Sequence, residues 1–296
     1  MHTKEEKLKA FGRLLDIQDR LRKECPWDRK QTFESLRPHT IEEVYELCDA
    51  LMKGDLEEVC KELGDVTEHV IFYAMLGEET GTFDIADVCN HQSDKLMFRH
   101  DFIDWSGEEW YVTDPDLVID SHGQVVYKDE VTTGNEDAPE TASQVEHTWE
   151  ERKQQERKGN KSVLSGVPAS LPSLIKAYRI QDKARNVGFD WKDKGDVWQK
   201  VHEELEELET ELRKENQENS TRELGDFIFS IINAARLYRL NPDNALELTN
   251  QKFIRRFGYV EQKLKERHKQ FKDSSLEEMD ELWNEAKQIE KSGDDL

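Results

Sequence analysis

Glu203-Glu204-Leu205-Glu206-Glu207, followed by Glu223-Leu224-Gly225-Asp226, decides the fold, because the same pair of motifs stands earlier as Glu42-Glu43-Val44-Tyr45-Glu46 and Glu62-Leu63-Gly64-Asp65. The offset is 161 residues at every matched position. One acidic EExxE is unremarkable in an acidic chain. Two of them, each at the same interval from an ELGD, form an internal repeat. Upstream, Ile17-Gln18-Asp19-Arg20-Leu21-Arg22 matches Ile180-Gln181-Asp182-Lys183-Ala184-Arg185. A short aromatic turn follows in each copy, Cys25-Pro26-Trp27-Asp28 and Gly188-Phe189-Asp190-Trp191. Downstream, Asp94-Lys95-Leu96-Met97-Phe98-Arg99 matches Gln251-Lys252-Phe253-Ile254-Arg255-Arg256. Each half therefore reads as helix, aromatic turn, two acidic helices and a basic helix. The halves fall at 1–103 and 165–296, and 104–164 is an insert followed by a helical connector.

The pattern is helical in both halves. Val44, Leu47 and Leu51, and Leu63, Val66 and Val70, recur at i, i+3, i+4 and i+7. We expect an all-α protein built as a tandem repeat of helical bundles. Gly54-Asp55 separates the first pair of acidic helices, with Asp55 as N-cap and Glu58 at the capping-box position. Asn216 to Ser220 does the same for the second pair. The middle differs: Gly107, Pro115, Gly123, Gly134 and Pro139 punctuate 104–139. There Leu117-Val118-Ile119 and Val125-Val126-Tyr127 flank Asp120-Ser121-His122-Gly123, which reads either as a small β-hairpin or as an irregular loop. Residues 140–158 return to a charged helix.

The acidic motifs carry the chemistry. Glu43 and Glu46 are three apart and share a helix face, as do Glu62 and Asp65. Gly54 lies midway between Glu46 and Glu62, so an antiparallel hairpin sets both pairs at one height, roughly 12 Å from the turn at 1.5 Å per residue. Glu204, Glu207, Glu223 and Asp226 repeat this about Glu215. Four facing carboxylates repel and cannot all stay ionised unaided. A hard divalent cation, Mg2+ or Mn2+ in its place, resolves that repulsion and keeps water ligands free for phosphate oxygens. The competing reading of any one Glu is a solvated helix face, and Ser220-x-x-Glu223 also fits a capping box. Asn216, which aligns with Asp55, is the better cap.

Lys95 with Arg99, and Lys252 with Arg256, are i, i+4 cations. They suit phosphate clamping or surface ion pairing. Trp27, Phe189, Trp191 and Trp283 are aromatics for stacking a base or for filling a core. No HxxxH or HExxH spacing supports zinc.

Composition bounds the partners. The chain has 296 residues, 35% hydrophobic and 36% charged, with a net charge of −23. That charge disfavours nucleic acid polymers and anionic membranes. Cys25, Cys48, Cys60 and Cys89 form no CxxC pair, and no apolar run reaches membrane-spanning length. We expect a reduced, cytoplasmic chain.

These motifs in combination, with Asn250-Gln251-Lys252-Phe253-Ile254-Arg255-Arg256-Phe257 and the terminal Leu276-Glu277-Glu278-Met279 and Leu282-Trp283, resemble the MazG family of nucleoside triphosphate pyrophosphohydrolases. The CPWDxxQT and DKLxxRH stretches of the first half look like the family's N-terminal repeat. The resemblance covers nearly the whole chain outside about 104–139. It implies Mg2+-dependent cleavage of nucleoside triphosphates between the α- and β-phosphates, and a helical core completed by a homodimer partner. By analogy the metal ligands are Glu204, Glu207, Glu223 and Asp226, with Glu203 close by, and Glu43, Glu46, Glu62 and Asp65 in the first half. Lys183, Trp191, Lys252, Arg255, Arg256 and Trp283, with Lys95 and Arg99, are implied for substrate. Phe98 stands where the second half has Arg255. The alternative to an enzyme is an oligomeric interaction protein with one or both sites vestigial.

Overall fold

The computed structural model describes residues 1–129, 139, 141–156, 162–191 and 193–292. The insert residues 130–138 and 140, including Gly134, lie outside the described residues, as do 293–296. The chain divides into two compact units, Met1–Arg157 and Lys158–Leu296.

Unit 1 opens with α1 (Lys4–Glu24), whose Thr3 and Glu6 close a capping box. A 3-10 turn at Asp28–Lys30 carries the CPWD segment. Then come α2 (Phe33–Lys53), α3 (Leu56–Glu79) and α4 (Ile85–Arg99). α2 and α3 pack as a hairpin, with α1 and α4 against α3. Gly54 ends α2 in the left-handed conformation at φ 69°, where a side chain would be strained. Asp55 caps α3 by accepting from the amides of Glu57 and Glu58. The expected capping box does not close, because the Glu58 carboxylate accepts from Lys61 instead. Leu36, Phe72, Met75 and Leu76 form the core beneath the hairpin.

The insert is the hairpin rather than an irregular loop. β1 (Leu117–Ile119) pairs antiparallel with β2 (Val125–Tyr127), Val118 opposite Val126. Asp120 closes the turn, accepting from the amides of His122 and Gln124 at 2.8 and 3.0 Å. Gly123, at φ 75°, is needed there twice over, since a Cβ would also meet the Asp104 carboxylate. The hairpin lies on α4: Leu117 and Val125 bury Met97 and Phe98, with Trp105, Val112, Ile119 and Tyr127 around them. α5 (Ala142–Gln155) packs on α4.

Unit 2 repeats the order with α6 (Ser173–Asn186), α7 (Lys194–Arg213), α8 (Gln217–Leu237), α9 (Pro242–Glu266) and α10 (Leu276–Ser292). α7 and α8 form the hairpin, α6 and α9 pack against α8, and α10 packs on α9. Asn216 caps α8, so Glu223 lies inside the helix and not at its cap. Val197, Val201 and Ala234 hold the hairpin together. Val260, Leu264 and Leu282 hold α9 to α10. Among the described residues no helix is long and apolar enough to cross a membrane, and all four cysteines are free.

Candidate active site

The hairpins bring the acidic motifs together. In unit 2, Glu204, Glu207 and Glu223 each offer a carboxylate oxygen, and the three atoms lie within 4.8 Å of one another. In unit 1, Glu43, Glu62 and Asp65 do the same. Each set is thus three of the four expected acids. Asp226 and Glu46 stand outside this limit but remain near enough to act electrostatically, since they help to raise Glu223 and Glu62 respectively.

Burial and like charge raise the pKa values of Glu43, Glu62 and Glu223. Glu223 is raised first by burial, then by Glu207, Asp226 and Glu204. Glu62 is raised by burial, then by Glu46 and Asp65. Glu43 is raised by burial, then by Glu46, Asp65 and Glu42, with His39 opposing. Glu204 and Glu62 are each 7% exposed. The buried Glu62 Oε2 has no hydrogen-bond partner. A buried acid oxygen without a donor, set among other acids, fits an oxygen-coordinated divalent cation.

Lys200, which the sequence reading passed over, is the internal counter-ion of the second cluster. Its Nζ lies 2.7 Å from Glu204 and 2.9 Å from Glu203, and both carboxylates hold its pKa up. The signal was present as the i, i+3 and i+4 spacing of Lys200 to Glu203 and Glu204. At the matching place unit 1 has His39, whose Nδ1 is 3.7 Å from Glu42.

The cationic and aromatic residues form a second group in unit 2. Lys252, Arg255 and Arg256 are on α9, and Trp283 is on α10. The Arg256 guanidinium lies over the Trp283 ring at 5.7 Å and donates to Glu290 at 2.7 Å. Arg255 reaches Glu290 at 3.4 Å. Phe253, Phe257, Val260, Phe271 and Met279 line an apolar cavity of about 360 Å³ that ends at Trp283. Among the described residues no ion pair joins Lys252, Arg255 or Arg256 to the carboxylate cluster.

Other expected substrate residues are placed differently. Lys183 is 1% exposed and already partnered, so its ammonium is not displayed to solvent. Trp191 is exposed, beside Asp190, which Arg236 of α8 grips through two donors. Arg236 is the anchor of the GFDW turn, as Arg22 anchors the CPWD turn by donating to the Asp28 and Gln31 carbonyls. Neither anchor was read from sequence. In unit 1 Lys95 is partly exposed, whereas Arg99 donates through Nε and Nη2 to Glu156. Phe98 is a core residue, with the Arg152 guanidinium 4.8 Å from its ring.

α5 is more than a connector. Trp149-Glu150-Glu151-Arg152-Lys153-Gln154-Gln155-Glu156 matches Trp283-Asn284-Glu285-Ala286-Lys287-Gln288-Ile289-Glu290 at five of eight positions, at an offset of 134. α5 is therefore the first copy of α10, and the insert lies within the first repeat.

Comparison with known proteins agrees with this architecture. The model of the MazG nucleotide pyrophosphohydrolase domain matches residues 31–103 and 196–272. The nucleoside triphosphate pyrophosphohydrolase of Escherichia coli (strain K12) is 37% identical over 290 residues, covering 96% of this chain and 99% of that protein. The nucleoside triphosphate pyrophosphohydrolase/pyrophosphatase MazG of Thermotoga maritima is 36% identical over 281 residues, covering 94% and 95%. A Mycolicibacterium smegmatis nucleoside triphosphate pyrophosphohydrolase is 31% identical over 184 residues, covering 60% of this chain and 47% of that protein. A domain matched once in each unit, with relatives alike from end to end, means that this chain belongs to the MazG nucleotide pyrophosphohydrolase family.

Proposed function

We propose that the protein hydrolyses nucleoside triphosphates between the α- and β-phosphates, releasing a nucleoside monophosphate and pyrophosphate, with Mg2+ held by Glu204, Glu207, Glu223 and Asp226. The observation that carries this reading is the cluster of three carboxylate oxygens within 4.8 Å at the α7–α8 hairpin. Bound Mg2+ would neutralise phosphate charge and make a bound water more acidic. The chain's own residues supply placement and counter-charge. Glu203, next to the ligands, is sited to orient the attacking water. Lys252, Arg255 and Arg256 meet the phosphates as N–H donors, with Glu290 giving way. Trp283 and its apolar cavity receive the base. Such reactions need charge neutralisation and alignment more than covalent help from protein groups. The same reading makes the protein a homodimer that acts on the cytoplasmic nucleotide pool; the expected first boundary at 103 moves to the end of α5, because α5 completes the first repeat.

Incubation with each nucleoside triphosphate and Mg2+, with the products resolved by ion exchange, tests the activity. Monophosphate with pyrophosphate is the expected pair. Diphosphate with orthophosphate, or no turnover of any triphosphate, refutes it. EDTA should abolish activity.

A further inference from the structure

Among the described residues that line the cavity at Trp283, Asp280 alone is polar. Leu276, Met279, Asp280 and Trp283 recur at i, i+3, i+4 and i+7 on α10, so the carboxylate shares the cavity face of the helix, one turn before the indole. It is exposed, and so stands at the mouth of the cavity. Its charge is not neutralised as that of its neighbour is. Glu278 is held by Arg267 and Lys269 at 3.3 and 2.8 Å. Among the described residues Asp280 has no such cation. Its Oδ2 accepts from the Asn284 side-chain amide at 3.2 Å, a neutral contact that orients the carboxylate and leaves Oδ1 for a further donor.

A carboxylate only accepts hydrogen bonds, so a ligand that meets Asp280 must bring N–H or O–H groups. The phosphates are not that part of a nucleotide. Glu290, which Arg256 grips, is ten residues further along α10, roughly 15 Å at 1.5 Å per residue. Along α10 the order is therefore acceptor, indole, cation. The standard bases differ in what they offer an acceptor beside the indole. Guanine presents N1–H and the N2 amino group side by side, two donors that match two carboxylate oxygens. Adenine and cytosine set a ring-nitrogen acceptor beside their amino group. Uracil and thymine flank one N–H with two carbonyls. In those four bases an acceptor faces the carboxylate and repels it.

We propose that Asp280 selects the base, so that unit 2 takes guanine nucleoside triphosphates in preference to the others. The ring lies against Trp283, its N1–H and N2 amino group donate to the Asp280 carboxylate, and Asn284 positions that carboxylate. The proposal rests on the reading of Trp283 and its cavity as the base site, and adds to it the choice among bases.

Steady-state kinetics of the full-length protein with Mg2+ and GTP, ATP or inosine triphosphate test this. In the wild type, kcat/KM for GTP should exceed that for ATP by about tenfold or more, the discrimination that one bidentate pair supplies. Inosine triphosphate keeps N1–H and lacks the N2 amino group, so it should fall between the two. In Asp280→Asn the ratio of GTP to ATP should drop below about threefold, because the amide sets a donor against a donor. The loss should lie in KM for GTP, as it does when binding alone is weakened. Equal kcat/KM for GTP and ATP in the wild type overturns the proposal, and so does a variant that keeps the wild-type ratio. Should Asp280→Asn fail to fold by circular dichroism, inosine triphosphate on the wild type decides, and turnover equal to that of GTP overturns the proposal. Turnover of every triphosphate without preference sinks the base contact and leaves the activity standing. No turnover of any triphosphate sinks the functional reading beneath it, and this proposal with it.

Discussion

Three carboxylate oxygens within 4.8 Å of one another repel, and the two units relieve that repulsion differently. Unit 2 places Lys200 on Glu204, whereas unit 1 has His39 at that place and leaves Glu62 Oε2 without a donor. Glu43, Glu62 and Glu223 all have raised pKa values when folded. A carboxyl raised above its unfolded value of about 4.3 favours the folded state while protonated. That contribution is lost as pH rises from the unfolded value through the folded one. Metal-free protein should therefore lose stability on going from about pH 5 to about pH 7.5. Mg2+ needs the ionised acids, so it should raise the melting temperature more at the higher pH. Thermal melts with and without Mg2+ check this, and an equal shift at both pH values would contradict it. Substitution should rank the clusters. Glu204→Gln and Asp226→Asn should lower kcat by about a hundredfold or more, as loss of transition-state electrostatics commonly does. Glu43→Gln and Asp65→Asn should lower it by less than about tenfold on the same scale, because Phe98 already deprives unit 1 of a guanidinium. Product formation at saturating substrate is the measurement, and a larger loss from the unit 1 substitutions would reverse the ranking.

At the scale of elements, the hairpin turns differ in one testable way. Gly54 takes φ 69° after α2, and the matching Glu215 takes φ 56° after α7. A left-handed Cβ costs about 1–2 kcal/mol, partly offset by the greater unfolded-state freedom of glycine. Glu215→Gly should therefore stabilise the protein by about 0.5 kcal/mol, read as a higher denaturant midpoint with an unchanged m value. A lower midpoint would count against that assignment. The long helices were legible because their apolar residues keep a 3.6-residue period, and the acidic faces because they recur at one offset. α5 was read only as a charged helix, since Arg152 stands where α10 has Ala286 and the surrounding charge hides a match only about two turns long. The hairpin strands are three residues long, too short for their alternation to exclude a loop. Arg22 and Arg236 were invisible as anchors because their roles arise from packing: Arg236 meets Asp190 across 46 residues, and Arg22 meets Glu79 across 57.

For the whole molecule, each unit leaves apolar side chains of its hairpin in solvent. Val44, Leu51, Leu63 and Val70 in unit 1, and Leu224, Ile228 and Ile231 in unit 2, are all exposed. Contiguous apolar surface of this kind is costly in a monomer. Light scattering at micromolar protein should give twice the chain mass, and a monomer would leave these faces unexplained. The position of the insert has a different consequence, one of history. In unit 2 the chain passes from Glu266 to Leu276 by a short link, and in unit 1 the same passage, from Arg99 to Ala142, carries the hairpin. Loop closure grows only logarithmically with length, so the longer passage costs only about 1–2 kcal/mol, and Leu117 and Val125 offset it by covering Phe98. Both copies end in the same Trp-bearing helix, so the ancestral unit was already complete when it was duplicated. The first copy carries the hairpin, and the burial of Phe98 beneath it, where the second copy has Arg255, marks where the two copies part.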